Sequence, residues 1–499
     1  MSDARAGSTI ETARPAATGE LWIFSQDPRR LGTAYALLVA FGLVLGTLLA
    51  VGLVLQDVAG PGGGNDPDVH RRIFTVHGMA MVFGVLLPAI PGVLGNWLLP
   101  KRLGVAELAW PRLNLLAFQL LCAAWLLFLI AFLFAPPATG YAFDLALSRA
   151  PGANAPWSML AVLFAVASVA LTGAVHVATL FTGRAGRGGL AAVPFVGWAF
   201  GVAGLLQVLA APALVVALAF LFADRSGASD ALAGAAADVR LDRWTWAFAQ
   251  PAFAGALIAA AGVIGDVFAT RGDARATPGP AAFASVLALV GAATVALASS
   301  AVHTAWRGAG GSGASGALAL ALGVPLAVLV ADWLGALSRG RVVPSAALWL
   351  SIAAAVGLVA GALAAAFLAS PATGPYLEGS RFPASALHLF AVVGVLGAAF
   401  AGMYAFLGER ARQGAGRLSA ALLVLGAAAA FVPPGVLGFL GEAGRSSELT
   451  TARDSLAWTS AAGALAVVTA LSFAAWGLFA AWLEVRAESR AASEPEERV

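Results

Sequence analysis

Apolar residues along this chain come in long unbroken runs, not in the alternation of a half-buried strand. The runs lie at 33–56, 72–98, 114–136, 157–182, 191–222, 244–270, 281–305, 316–337, 345–369, 384–409, 417–440 and 455–484. Each reaches the ~20 residues that an α-helix needs to cross a bilayer. Barrel strands are excluded, because they alternate between lipid and lumen. The predicted fold class is an all-α integral membrane protein, a bundle of about twelve transmembrane helices. Residues 1–30 are polar, lack the apolar core of a signal peptide and read as an N-terminal tail. Residues 31–484 then form one membrane domain, and 485–499 a C-terminal tail.

Arginine orients the bundle. Twelve spans put both termini on one side, and the connecting pieces on that side hold 19 of the 29 basic residues. The positive-inside rule makes that side cytoplasmic, so both tails are expected there. Charged residues are only 11% of the 499, against about 25% in soluble domains. With a mean hydropathy of +0.85, a soluble enzyme is excluded and the lipid bilayer becomes the main partner. The net charge of +3 is almost all arginine scattered over loops. That distribution fits topology and not a nucleic-acid surface. The 58 glycines suit helices that approach closely in lipid.

Histidine and cysteine bound the chemistry. There are five histidines, His70, His77, His176, His303 and His388, and one cysteine, Cys122. A single cysteine excludes an intrachain disulfide, a Cys-built zinc site and an iron–sulfur cluster held by this chain alone. Ionisable residues inside spans are functional candidates by default. That rule covers His77, His176, His303, His388, Asp266 and Asp332.

The second run contains Phe74-Thr-Val-His77-Gly-Met-Ala-Met-Val-Phe-Gly and leaves through Gly92-Val-Leu-Gly-Asn96-Trp97-Leu-Leu-Pro100. The third opens on Pro111-Arg112-Leu-Asn114. Leu31-Gly-Thr-Ala-Tyr35 opens the first, and Ala223-Asp-Arg225 closes the fifth. Together these stretches resemble the catalytic subunit I of the haem-copper oxidases, the cytochrome c oxidase family, along almost the whole chain. The resemblance implies a low-spin haem between one histidine of the second span and one of the tenth. It also implies a high-spin haem on a tenth-span histidine two residues earlier, and a copper ion on three histidines of the sixth and seventh spans.

Position by position, His77 and His388 match the low-spin ligands. Ala386 stands at the high-spin ligand position. The family's His-Pro-Glu-Val-Tyr reads Gln250-Pro251-Ala252-Phe253-Ala254, and its histidine pair reads Ser300-Ala301, with His303 nearby as a candidate displaced ligand. Leu329 takes the place of a proton-channel lysine, and Glu107 that of an acid at the mouth of a second channel. Leu55 replaces the arginine that contacts the formyl group of haem A. Arg445 keeps one of two propionate-holding arginines, and Gly444 replaces the other.

Five histidines cannot fill six ligand positions, whereas two suffice for a closed, six-coordinate iron. The expectation is a divergent family member with one bis-His low-spin haem, His77 and His388 on the iron and Arg445 on the haem. Leu55 favours haem B over haem A. No copper and no O2-reducing centre of its own are expected. The chain would pass electrons from cytochrome c or quinol among the subunits of a respiratory complex in a bacterial-type inner membrane. Two alternatives stand beside this: a cofactor-free scaffold, and an active terminal oxidase or nitric oxide reductase with ligands such as Gln250 or Ser300. A haem-free transporter, prompted by Asp266 and Asp332, ranks below them.

Plainer roles are expected elsewhere. His70 sits beside Arg71 and Arg72 at the membrane surface, His176 is a buried hydrogen-bonded side chain, and His303 is structural. Glu107 is solvated or paired near Arg112. Asp266 and Asp332 pair with arginine or cap a backbone break. Trp244 and Trp246 anchor at the interface or pack the core.

Overall fold

The computed structural model describes residues 22–59, 66–150, 152–183, 193–230, 232–234, 237–271, 326–335, 337–338, 343–369, 373–377, 379–441 and 451–491. Among these, ten helices are long and apolar enough to cross a bilayer, and there is no strand. They are α1 (Pro28–Ala59), α2 (Pro67–Leu103), α3 (Pro111–Phe134), α4 (Ala155–Thr182) and α5 (Phe195–Arg225). The rest are α6 (Ala237–Arg271), α7 (Ala346–Ala369), α8 (Phe382–Arg410), α9 (Gln413–Phe439) and α10 (Thr451–Ala491). All ten coincide with predicted spans. The span expected at 281–305 lies outside the described residues, and of 316–337 the short helix Leu326–Gly335 is described.

The helices outrun their apolar runs because polar turns continue them beyond the hydrocarbon. At the start of α2 the Asp66 carboxylate caps the helix by accepting from the Asp68 N–H at 2.9 Å, and Pro67 occupies the first turn. α6 gains a polar first turn through Asp238 and Arg240.

Helices adjacent in sequence pack together from α3 through to α6, as do α7 with α8 and α9 with α10. α1 lies against both α2 and α10. Burial separates the helices into two sets. The apolar windows of α2, α6 and α8 are 72–78% buried, whereas those of α1 and α10 are 28% and 33%. The outer helices direct Leu48, Leu126, Phe134 and Leu425 outwards, as a lipid-facing surface requires. Where α4 meets α5, a Cβ on Gly173 would stand 2.5 Å from the Gly204 carbonyl oxygen. Only glycine permits that contact.

Polar side chains tie the helices at few points. Asn114 on α3 donates to the Asn96 carboxamide oxygen at 2.7 Å, and Asn96 donates to the Gly92 carbonyl at 2.7 Å. The Trp97 indole donates to the Arg29 carbonyl at 3.1 Å, and the Tyr35 and Thr172 hydroxyls meet at 3.3 Å. These bonds give the Gly-Asn-Trp and Pro-Arg-Leu-Asn motifs their physical sense, because an unpaired polar group in hydrocarbon costs several kcal/mol.

α2 departs from α geometry over Ala80–Leu86 and Ala89–Leu94, where the turns widen to π type. The Leu87 N–H reaches back to the Val82 carbonyl, and the Gly95 N–H to that of Ile90. Pro88 and Pro91 lack the N–H of a regular turn and crowd the turn before them. α8 widens likewise over Leu389–Leu396.

Gly204→Val is expected to force α4 and α5 apart and to lower stability by about 1–3 kcal/mol. A melting temperature in detergent equal to the parent's would contradict the backbone contact.

Candidate functional site

α2 and α8 bring His77 and His388 together near one end of the bundle. Their ring centroids stand 6.1 Å apart, with planes 9° from parallel. His77 lies ten residues into α2 and His388 six into α8. At 1.5 Å per residue the pair sits about 9–15 Å from those helix starts.

Each ring is oriented through Nδ1. His77 Nδ1 is 2.9 Å from the Gly46 carbonyl oxygen on α1, and His388 Nδ1 is 2.7 Å from that of Ala384 in its own helix. A carbonyl only accepts, so each Nδ1 carries the proton and donates. Both Nε2 atoms then hold lone pairs, as metal ligation demands. Phe431 of α9 lies over His388 at 4.8 Å between centroids and 27°. Tyr141, in the loop after α3, lies against Gly78, and its ring meets Phe74 at 6.2 Å. Burial pushes the Tyr141 phenol above its ordinary pKa, which keeps it a neutral hydroxyl. In α8 the wide turns begin at Leu389, directly after the histidine, and in α2 they begin three residues beyond it.

The neighbouring positions are apolar. Ala386 precedes His388 by two residues and points about 200° around the helix from it. It packs with Ala364, Leu377 and Phe382. Between α6 and its neighbours, Phe253 meets Phe390 at 6.1 Å and Phe248 meets Phe83 at 6.0 Å. The Gln207 amide donates to the Ala252 carbonyl at 3.1 Å. Among the described residues, no group of three or more His, Cys, Asp or Glu side chains comes together.

The family model described as cytochrome c and quinol oxidase polypeptide I matches residues 30–482. The chain belongs to that family. Among curated members it is 26% identical over 443 residues to "Probable cytochrome c oxidase subunit 1" of Bradyrhizobium diazoefficiens, covering 84% of this chain and 65% of that one. It is 27% identical over 206 residues to cytochrome c oxidase subunit 1 of Thermostichus vulcanus, covering 41% and 37%. The chain thus spans less than two thirds of the length of either relative. A heme-copper terminal oxidase dimer solved by cryo-EM shares the fold at a TM-score of 0.74 and 14% identity, over 95% of this chain and 85% of that one.

Within this oxidase subunit I fold, the other sequence candidates separate. Asp266 pairs with Arg102 from the end of α2, at 2.7 Å to Nε and 2.8 Å to the guanidinium NH2 group. That is the arginine pairing expected of it. Asp332 is half-buried on Leu326–Gly335, Glu107 is exposed in its loop, and His70 meets the Gln56 amide oxygen at 2.9 Å. Trp244 packs edge-on to Phe220 at 6.4 Å. His176 is buried as expected, but its Nε2 has no hydrogen-bond partner. The ring packs edge-on against Phe200, and its Nε2 faces Gly95, which offers no polar side chain. Ser300, Ala301, His303, Gly444 and Arg445 lie outside the described residues.

Sequence reasoning missed Gly46, Ala384, Phe431 and Tyr141. The two acceptors act through backbone carbonyls, which carry no side-chain signal. Tyr141 was open to detection as one of four tyrosines in the chain.

Asp266→Ala is expected to strand the Arg102 guanidinium and to cost on the order of 3 kcal/mol. Unfolding in detergent reads this, with Asp266→Asn predicted to lose less. Equal stability of all three proteins would mean that the pair contributes nothing.

Proposed function

We propose that this subunit I homologue binds a single low-spin haem between His77 and His388 and relays electrons, without a binuclear O2-reducing centre of its own. The observation that carries the reading is the near-parallel histidine pair, each ring held by a carbonyl on Nδ1, which leaves the lone pair on Nε2. Imidazole nitrogens bind metals at about 2.0–2.1 Å, so two rings clasping one ion from opposite sides have centroids on the order of 6 Å apart. The observed 6.1 Å fits that requirement. A haem held by both histidines would supply one-electron exchange there and leave no open position for a gas ligand.

The chain's own residues support this role and no further redox centre. Ala386, Ala252 and Ala254 cannot ligate, and Phe253 and Phe390 meet ring to ring between α6 and α8. Leu55 provides no partner for a formyl group, which favours haem B. Arg445 is assigned to a propionate. The histidines lie toward the Pro67 and Phe382 ends of their helices, opposite the arginine-rich side. With both termini cytoplasmic in a bacterial-type inner membrane, electrons from cytochrome c or quinol reach the haem near the outer surface. Other subunits of a respiratory complex receive them.

Purified protein is expected to contain one haem per chain, no copper, and a low-spin reduced-minus-oxidised spectrum that CO leaves unchanged. His77→Ala and His388→Ala should each abolish that spectrum while the chain still inserts. Copper together with a CO-binding haem would favour an active oxidase, and haem-free wild-type protein would favour a scaffold.

A further inference from the structure

Two helices outside the α2–α8 pair reach the histidines. α1 presents the Gly46 carbonyl to His77 Nδ1 at 2.9 Å, across 31 residues of sequence. α9 lays Phe431 on the His388 ring at 4.8 Å. We infer that Gly46 and Phe431 are positioning residues that hold the planes of His77 and His388 parallel, and so set the electronic structure and potential of the low-spin haem proposed above, on which this inference rests.

The missing side chain of Gly46 leaves room for Met81. A Cβ there would stand 2.1 Å from Met81 Sδ and 2.8 Å from Met81 Cγ. A larger residue at 46 therefore has to displace the Met81 side chain, one turn from His77, or push α1 away from α2. The present separation of the two helices brings the carbonyl within reach of Nδ1. The Ala384 acceptor, by contrast, belongs to α8 itself and depends on no neighbouring helix. For His388 the outside restraint is the aromatic face of Phe431.

Ring orientation and proton donation have different readouts. An imidazole bound through Nε2 turns about the metal–nitrogen bond unless its surroundings stop it, and its π system overlaps one of two iron d orbitals. Parallel rings act on the same orbital and split the pair, giving a rhombic ferric spectrum. Crossed rings leave the pair nearly degenerate and give a single feature at large g. The hydrogen bond from Nδ1 raises the basicity of the ligand and favours ferric iron. Its loss moves the midpoint potential up.

Electron paramagnetic resonance and redox titration of the full-length haem-loaded protein test this. Wild type is expected to give a rhombic low-spin signal. Gly46→Val, with haem content retained, should raise the midpoint and diminish the rhombic splitting. Adding Met81→Ala should restore both toward wild type by relieving the crowding, with Met81→Ala alone as control. Phe431→Leu should diminish the splitting with little change in midpoint, because no hydrogen bond is lost. Wild-type g values and midpoints in haem-replete Gly46→Val and Phe431→Leu would overturn the inference. If Gly46→Val does not assemble, Phe431→Leu and the wild-type line shape decide. A large-g wild-type signal overturns the positioning role alone, whereas wild-type protein without haem overturns the reading beneath it.

Discussion

A polar group left unpaired in hydrocarbon costs several kcal/mol, and water is not there to offset it. That constraint selects helices for this chain and fixes where its few interior polar side chains stand. Asn96 meets Asn114, Tyr35 meets Thr172, and Asp266 meets Arg102. His77 and His388 each spend Nδ1 on a carbonyl. The Asn96–Asn114 and Arg102–Asp266 pairs also join helices that apolar contact alone would leave free to slide, since lipid tails compete for such contact. Among the described residues the buried Nε2 of His176, which rests on Phe200 and Gly95, the Trp125 indole N–H and the Ser351 hydroxyl depart from this pattern.

The inner helices α2, α6 and α8 bear both the histidine pair and the apolar residues around it. At 14% identity to the solved oxidase, the fold persists on packing rather than on individual residues. Small side chains keep the helices close, and aromatic rings fill the spaces between them. Phe253 and Phe390 show this beside the site, where their rings meet edge-on between α6 and α8.

Span positions were legible in the sequence because unbroken apolarity of helical length has one physical solution in lipid. The division into inner and outer helices was less so, since runs of Ala, Gly and Leu look alike whether they face lipid or protein. α6 gave a partial cue: its hydropathy of 1.9 is the lowest of the ten spans, against 2.7 for α1. His77 and His388 stood out as ionisable groups inside spans, and Asp266 for the same reason. Gly46 did not, because a carbonyl acceptor is a property of helix placement and any residue possesses one. The wide turns of α2 were half legible: Pro88 and Pro91 announced a break, but i to i+5 bonding emerges only when the flanking turns are held by neighbours. In α8 the same widening occurs without proline, and nothing in Leu389–Leu396 announces it.

The bond from His77 to Gly46 bears on how the protein is made. Chains emerge from their N-terminus, so α1 and α2 reach the membrane before α3 to α10. His77 then needs an acceptor long before α8 exists. Gly46 provides one within the first hairpin, and the Arg29 carbonyl does the same for Trp97. Asn96 finds its own Gly92 carbonyl at once and receives Asn114 with the next helix. Tyr35 must wait for Thr172 on α4 and Arg102 for Asp266 on α6, and Arg102 lies at the end of α2, a quarter exposed, where water can serve in the interval. The partner of His77 thus precedes it along the chain, so the nascent protein need not hold a bare imidazole in lipid while its later helices are still being translated.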